Sequence, residues 1–139
     1  MVSTGPRFDL PTIEAETRPF WDALREGVLM LGRCDSCKRV HYYPRPMCPH
    51  CWKETVTLVP ASGSGTLYTW STVFVNDLPP FNTKLPYIAA QVDLDEGVRV
   101  TTIMVGTEPQ ALRIGMPVTI GFEAISEDVT IPVFSPAGS

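Results

Sequence analysis

RCDSCKRVHYYPRPMCPHCW, residues 33–52, holds every cysteine of the 139-residue chain. Cys34 and Cys37 form one Cys-x-x-Cys pair, Cys48 and Cys51 a second, and ten residues separate them. A Cys-x-x-Cys turn sets two sulfurs on one side of a tight knuckle. Two knuckles facing each other give the tetrahedral thiolate set that zinc accepts. Val40, Tyr42 and Tyr43 read as a short strand between the knuckles, and Pro44, Pro46 and Pro49 stiffen the return. The segment is thus expected to be a small zinc ribbon, with a disulfide or a redox-active Cys-x-x-Cys as the alternatives. Four protein ligands leave zinc no open position, so the metal would be structural and no cysteine would remain as a nucleophile. His41 and His50 read as ordinary polar residues.

Charge is unevenly spread along the chain, whose net charge is −4. Residues 33–53 carry five bases (Arg33, Lys38, Arg39, Arg45, Lys53) against Asp35, a local +4. Residues 86–139 carry seven acids against Arg99 and Arg113, a local −5. The basic residues either offset a tetrathiolate zinc, formally −2, or attract a phosphate-bearing ligand. No apolar run approaches the roughly 18 residues of a membrane span. The amino terminus shows no apolar signal-peptide core, so a cytoplasmic setting is expected. In that setting paired cysteines point to metal.

Upstream of the ribbon, residues 1–16 look irregular. Thr17 is a candidate N-cap, Pro19 is tolerated in a first helical turn, and Phe20, Trp21, Leu24 and Val28 recur at near-helical spacing. Gly27 fits the stop of an amphipathic helix of about ten residues. Its aromatic face either covers the chain's own body or anchors a partner. Strands are expected at 29–32 and 56–59, flanking the knuckles. The flexible run at 61–65, ASGSG, is the best internal boundary. The expected organisation is an N-terminal segment and helix over 1–28, a zinc ribbon over 29–60 and a barrel over 61–139.

Beyond that boundary the pattern is all strand, at 66–75, 87–94, 98–105, 117–125 and 129–134. DLDEG at 93–97 reads as a hairpin turn, and 107–113 as a capped helical turn. Five strands with a helical turn between the third and fourth describe a small OB-type barrel. Tyr68, Trp70 and Phe74 alternate along its first strand and read as core. The connection NDLPPFNTKLP at 76–86 is far longer than a hairpin needs. It is either a proline-stiffened solvent loop or a contact for ligand or partner, with Phe81 at its tip and Lys84 its only base. No Ser-His-Asp set, glycine-rich phosphate loop or paired carboxylate is visible in the sequence.

The blocks FWDALREGVLMLGRCDSCKRVHYYPRPMCPHC, GSGTLYTWSTV, PYIAAQVDLDEGVRV, IGMPVTIGFE and IPVFSP resemble, in this order, the rubredoxin-like zinc-ribbon plus OB-fold family found beside thiolases. The likeness runs from about residue 17 to 136. It implies a mainly β chain: an N-terminal helix, a rubredoxin-like zinc ribbon and a C-terminal five-stranded OB-fold barrel. The family's metal ligands fall on Cys34, Cys37, Cys48 and Cys51. Many relatives place glycine just after the second cysteine of a knuckle; here Lys38 and Trp52 stand there, which leaves the local turn open and offers Trp52 as a contact residue.

The resemblance also implies a role. Members serve as partner subunits or fused domains of thiolase-superfamily enzymes acting on acyl-CoA. The expected function is therefore a non-catalytic accessory subunit or domain of a lipid-transfer-protein-type aldolase, which cleaves a steroid side-chain or similar acyl-CoA. The complex would bind acyl-CoA and, in one branch of the family, include an acyl-CoA hydratase. Contacts are expected at Phe20, Trp21, Arg45, Trp52, Phe81 and Lys84. The alternatives are a scaffold joining acetoacetyl-CoA thiolase to hydroxymethylglutaryl-CoA synthase, and a stand-alone acyl-CoA carrier. A nucleic-acid module stacking bases on Tyr68, Trp70 and Phe74 runs against the acidic barrel. Neither nucleic acid nor membrane is an expected partner.

Overall fold

The structure, a computed structural model, describes residues 9–137. One helix, α1 (Arg18–Arg25), precedes three short strands, β1 (Met30–Cys34), β2 (Val40–His41) and β3 (Val56–Pro60). Five longer strands follow: β4 (Ser64–Val73), β5 (Tyr87–Leu94), β6 (Arg99–Met104), β7 (Pro117–Ala124) and β8 (Thr130–Pro136). The first three pair antiparallel in the order β2-β1-β3, and the remaining five close into a barrel in the order β4-β5-β6-β8-β7. The fold is mainly β, as expected. No helix among the described residues is long and apolar enough to cross a membrane.

α1 is shorter than its apolar spacing suggests, and Thr17 stands at its N-cap position as expected, but the Thr17 side chain makes no cap bond. The Thr17 hydroxyl instead accepts the Glu14 N–H (3.0 Å) and donates to the Glu14 carbonyl (3.2 Å), closing a turn ahead of the helix. The other end behaves as glycine dictates. Gly27 sits at φ +83°, its N–H donates to Leu24 and that of Val28 to Ala23, both at 3.0 Å. That double bond ties off the last carbonyls and turns the chain into β1.

The barrel strands follow the alternation with one exception. The β4–β5 register shifts between Leu67 and Thr69, which leaves Tyr68 in a bulge. A bulged residue reverses which side chains face inward. Tyr68, next to the buried Leu67, is exposed, Trp70 past the bulge is turned partly against the core, and Phe74 beyond the strand is exposed. The expectation that all three are core residues is therefore corrected. Arg99, paired with Asp93 at 2.6 Å, lies 3.4 Å above the Tyr68 ring on the outer surface. The helical turn between β6 and β7 is a single 3-10 turn, Pro109–Ala111, with no side-chain cap.

The seam between β6 and β8 is thin. These strands run parallel and share one bridge, Met104 with Phe134. Beside it the Val105 N–H reaches the Phe134 carbonyl (2.8 Å), and the buried Thr102 hydroxyl reaches the Pro132 carbonyl (3.1 Å). Phe20 and Leu24 of α1 and Leu29 and Leu31 beside it belong to the same buried cluster as Leu67, Val92, Val118 and Phe134 of the barrel.

Candidate metal centre and its surroundings

The two knuckles are built alike. In the first, the Lys38 N–H donates to the Cys34 carbonyl; in the second, the Trp52 N–H donates to the Cys48 carbonyl, both at 2.9 Å. The Cys34 N–H reaches Arg39 and the Cys48 N–H reaches Lys53, again at 2.9 Å. Lys38 and Trp52 take φ of 67° and 70°, the left-handed conformation that glycine adopts freely. The two turns thus share one shape, which a glycine would adopt freely, although neither residue is glycine.

Facing knuckles bring the four sulfurs within 4.8 Å of one another, with Cys34 and Cys51 at 3.5 Å and Cys37 and Cys48 at 3.7 Å. A tetrahedron with metal–sulfur bonds of about 2.3 Å has edges of about 3.8 Å, so the donor set fits a four-coordinate zinc. The separations far exceed a disulfide bond of about 2.05 Å, and all four are free thiols. Cys34 and Cys48 are buried, Cys37 and Cys51 half-buried.

Local donors prepare some of these sulfurs for ionisation. The Cys37 N–H (3.4 Å) and the Thr55 hydroxyl (3.2 Å) hold the Cys34 thiol down at about 5. Burial opposes ionisation of Cys48, but the N–H groups of Cys51 and His50 outweigh it and the thiol is lowered. The Lys53 N–H favours the Cys51 thiolate, yet burial and the neighbouring sulfurs push that thiol up to about 11. Four thiolates this close repel, and a divalent cation removes the conflict.

His41 is buried beside the site. Its Nε2 accepts the Arg45 N–H at 3.3 Å, and burial lowers its pKa. It pairs across β1–β2 with Gly32, where a Cβ would run into the imidazole. His50 Nδ1 lies 3.4 Å from Arg39 on the exposed side.

The other residues singled out from sequence fall in three places. Phe20 is buried under α1, so it faces the chain's own interior; Trp21 beside it is half-buried, their rings edge-on at 5.1 Å. Arg45 and Trp52 are exposed on the ribbon, Trp52 by 76%. Phe81 and Lys84 stand on the long β4–β5 connection, which contains a 3-10 turn, Phe81–Thr83, and line a groove of about 620 Å³. Sequence reasoning missed Thr55, which no spacing rule ties to Cys34. It also missed Ile103, although an isoleucine at an outward position of an alternating strand is a visible irregularity.

Family models match in two consecutive blocks: "ChsH2, rubredoxin-like zinc ribbon domain" over residues 21–57 and "ChsH2, C-terminal OB-fold domain" over 58–123. A probable enoyl-CoA hydratase alpha subunit of Thermomonospora curvata is 35% identical over 91% of this chain, which spans only 39% of that protein's length. A DUF35 domain-containing scaffold protein of Methanocaldococcus jannaschii is 36% identical over 78% of this chain and 77% of its own. Among solved structures, a chain of an "Ltp2-ChsH2(DUF35) aldolase" superposes with a TM-score of 0.82 and 34% identity, covering 92% of this chain and 99% of that one. With its ribbon, its barrel and its sequence all matching, the chain belongs to the ChsH2 (DUF35) family of paired rubredoxin-like zinc-ribbon and OB-fold domains.

Proposed function

We propose that this chain is the accessory subunit or domain of a thiolase-superfamily enzyme that breaks a carbon–carbon bond in an acyl-CoA, with the aldolase type favoured. The observation that carries this reading is the likeness, over nearly the whole of both chains, to a chain solved as part of an Ltp2-ChsH2(DUF35) aldolase. In this reading Cys34, Cys37, Cys48 and Cys51 hold a structural zinc. Closed tetrathiolate coordination offers no position for a substrate. The partner therefore supplies the reacting groups, and this chain supplies rigidity and surface. Exposed apolar side chains support that division: Trp52 on the ribbon, and Phe74 and Val75 at the start of the β4–β5 connection, are 76%, 71% and 77% exposed. A large exposed aromatic such as Trp52 is the kind of residue that commonly becomes an interface anchor.

Co-expression with the cognate thiolase-superfamily protein tests the reading. The two should co-purify as a stable complex, and the partner alone should be poorly active. A partner that is fully stable and active by itself would overturn the proposal. The scaffold alternative draws on the Methanocaldococcus relative, whose length this chain largely spans. Co-purification of two different thiolase-fold proteins on one copy of this chain would favour it over the aldolase.

A further inference from the structure

The four sulfurs of the ribbon are not equally guarded. Cys34 and Cys48 are fully buried, whereas Cys37 and Cys51 are half-buried. Hydrogen-bond donors divide them further. The Cys34 sulfur accepts from the Cys37 N–H (3.4 Å) and the Thr55 hydroxyl (3.2 Å), and the Cys48 sulfur from the His50 N–H (3.3 Å). The Lys53 N–H serves Cys51. Among the described residues no N–H or hydroxyl donates to the Cys37 sulfur, whose hydrogen-bonding neighbour is the Cys48 sulfur at 3.7 Å.

Zinc holds all its cysteine ligands as thiolates. Access and donors then decide which sulfur an electrophile meets first. A hydrogen bond to a thiolate draws charge from the sulfur and lowers its nucleophilicity. Cys37 is the sulfur that combines partial exposure with the fewest donors. Redox-sensitive cysteines are thiolates within reach of solvent, and they often stand beside a second cysteine that resolves the oxidised one. Cys48, on the facing knuckle, is placed for that part.

We propose that the ribbon is a peroxide-sensitive zinc switch, attacked at Cys37 and closed into a Cys37–Cys48 disulfide. The co-reactant is a hydroperoxide. The Cys37 thiolate attacks one peroxide oxygen; the S–O bond forms, the O–O bond breaks and hydroxide leaves. The Cys48 thiolate then attacks the sulfenic sulfur; the S–S bond forms, the S–O bond breaks and a second hydroxide leaves. Both hydroxides take a proton from solvent. Together the two thiolates lose two electrons, and hydrogen peroxide is reduced to two waters. Cys34 and Cys51 are then too few for closed tetrahedral coordination, and the zinc is released. Loss of the clamp reaches the barrel because Leu29 and Leu31 share its core. A dithiol reductant restores the thiols by exchange and becomes a disulfide itself. The inference rests on the zinc reading of the four cysteines and needs no partner protein.

Hydrogen peroxide added to the zinc-loaded full chain tests it. A chromogenic chelator reads released zinc, and alkylation with peptide mass spectrometry maps the thiols. Zinc should leave in step with disulfide formation, and Cys37–Cys48 should be the first disulfide. Dithiothreitol and fresh zinc should reverse both. Brief, limiting N-ethylmaleimide reports the order of attack independently of oxidation; Cys37 should carry about fivefold more label than any other cysteine. Thr55→Val, at an exposed position, removes the hydroxyl donor from Cys34. It should raise labelling of Cys34 by about threefold or more and leave that of Cys37 unchanged. Zinc retained in excess peroxide, a first label or first disulfide elsewhere, or Cys34 labelling unmoved by Thr55→Val overturns the switch. Metal content separates this from failure of the zinc reading. A chain that holds no zinc overturns both, and a zinc-loaded chain attacked elsewhere overturns the switch alone.

Discussion

Lys38 and Trp52 occupy the positions where the two knuckles ask most of the backbone. A left-handed φ costs a residue with a Cβ about 1 kcal/mol or more, and both stand at about 70°. Neither is packed: Lys38 is exposed and Trp52 is 76% exposed. Replacing either by glycine should therefore stabilise the zinc-loaded chain, by about 0.5–1 kcal/mol after allowing for the extra freedom of an unfolded glycine. A denaturant titration measures this, and a lower midpoint would contradict the strain. Gly32 is the reverse case. A methyl group there meets the His41 ring across β1–β2, so Gly32→Ala should cost about 1–3 kcal/mol in the same titration. A neutral Gly32→Ala would mean the ribbon has room that the structure denies it.

The ribbon is the element most completely written in the sequence. Two Cys-x-x-Cys pairs specify both knuckles because the spacing fixes which backbone N–H groups can reach which sulfurs and carbonyls. Metal uptake at that element has a pH signature. At pH 7 the Cys34 thiol, held at about 5, is already ionised, whereas the Cys51 thiol, near 11, must give up its proton. Zinc loading of the metal-free chain should thus release protons at pH 7, and its apparent affinity should fall as pH drops toward 5, where Cys34 begins to protonate as well. Calorimetry in two buffers of different ionisation enthalpy reads the proton count; buffer-independent heats would contradict a tetrathiolate site. β4 shows the other side of legibility. Its alternation implied one inward face, but the bulge at Tyr68 breaks the alternation, so that Leu67 is buried, Tyr68 exposed and Trp70 packed partly against the core. A bulge is set by where β5 lies alongside, and a single strand's sequence does not carry that register. At the start of α1 the sequence did place the boundary, since Thr17 stands at the N-cap position, but its hydroxyl bonds Glu14 in the turn before the helix instead of the helix itself.

At the scale of the molecule, ribbon and barrel behave as one body because they share a core. Leu29 and Leu31 lie in the same buried cluster as Val92 and Phe134. Stripping zinc should consequently weaken the barrel as well, lowering its thermal midpoint by about 10 °C or more in a single transition. A calorimetric scan in chelator checks this, and an unshifted barrel transition would show that the ribbon is an independent appendage. The five-stranded closure was legible from strand count and spacing. The groove along the β6–β8 seam was not, because Phe81, Ile103 and Ile131 converge only through the closed topology. The account's central claim is that a zinc-clamped chain enables its thiolase-superfamily partner to cleave acyl-CoA. The direct measurement is the partner's carbon–carbon bond cleavage rate with the zinc-loaded chain, with the chelated chain, and without either. The account predicts full turnover only with the zinc-loaded chain; equal rates in all three would contradict it.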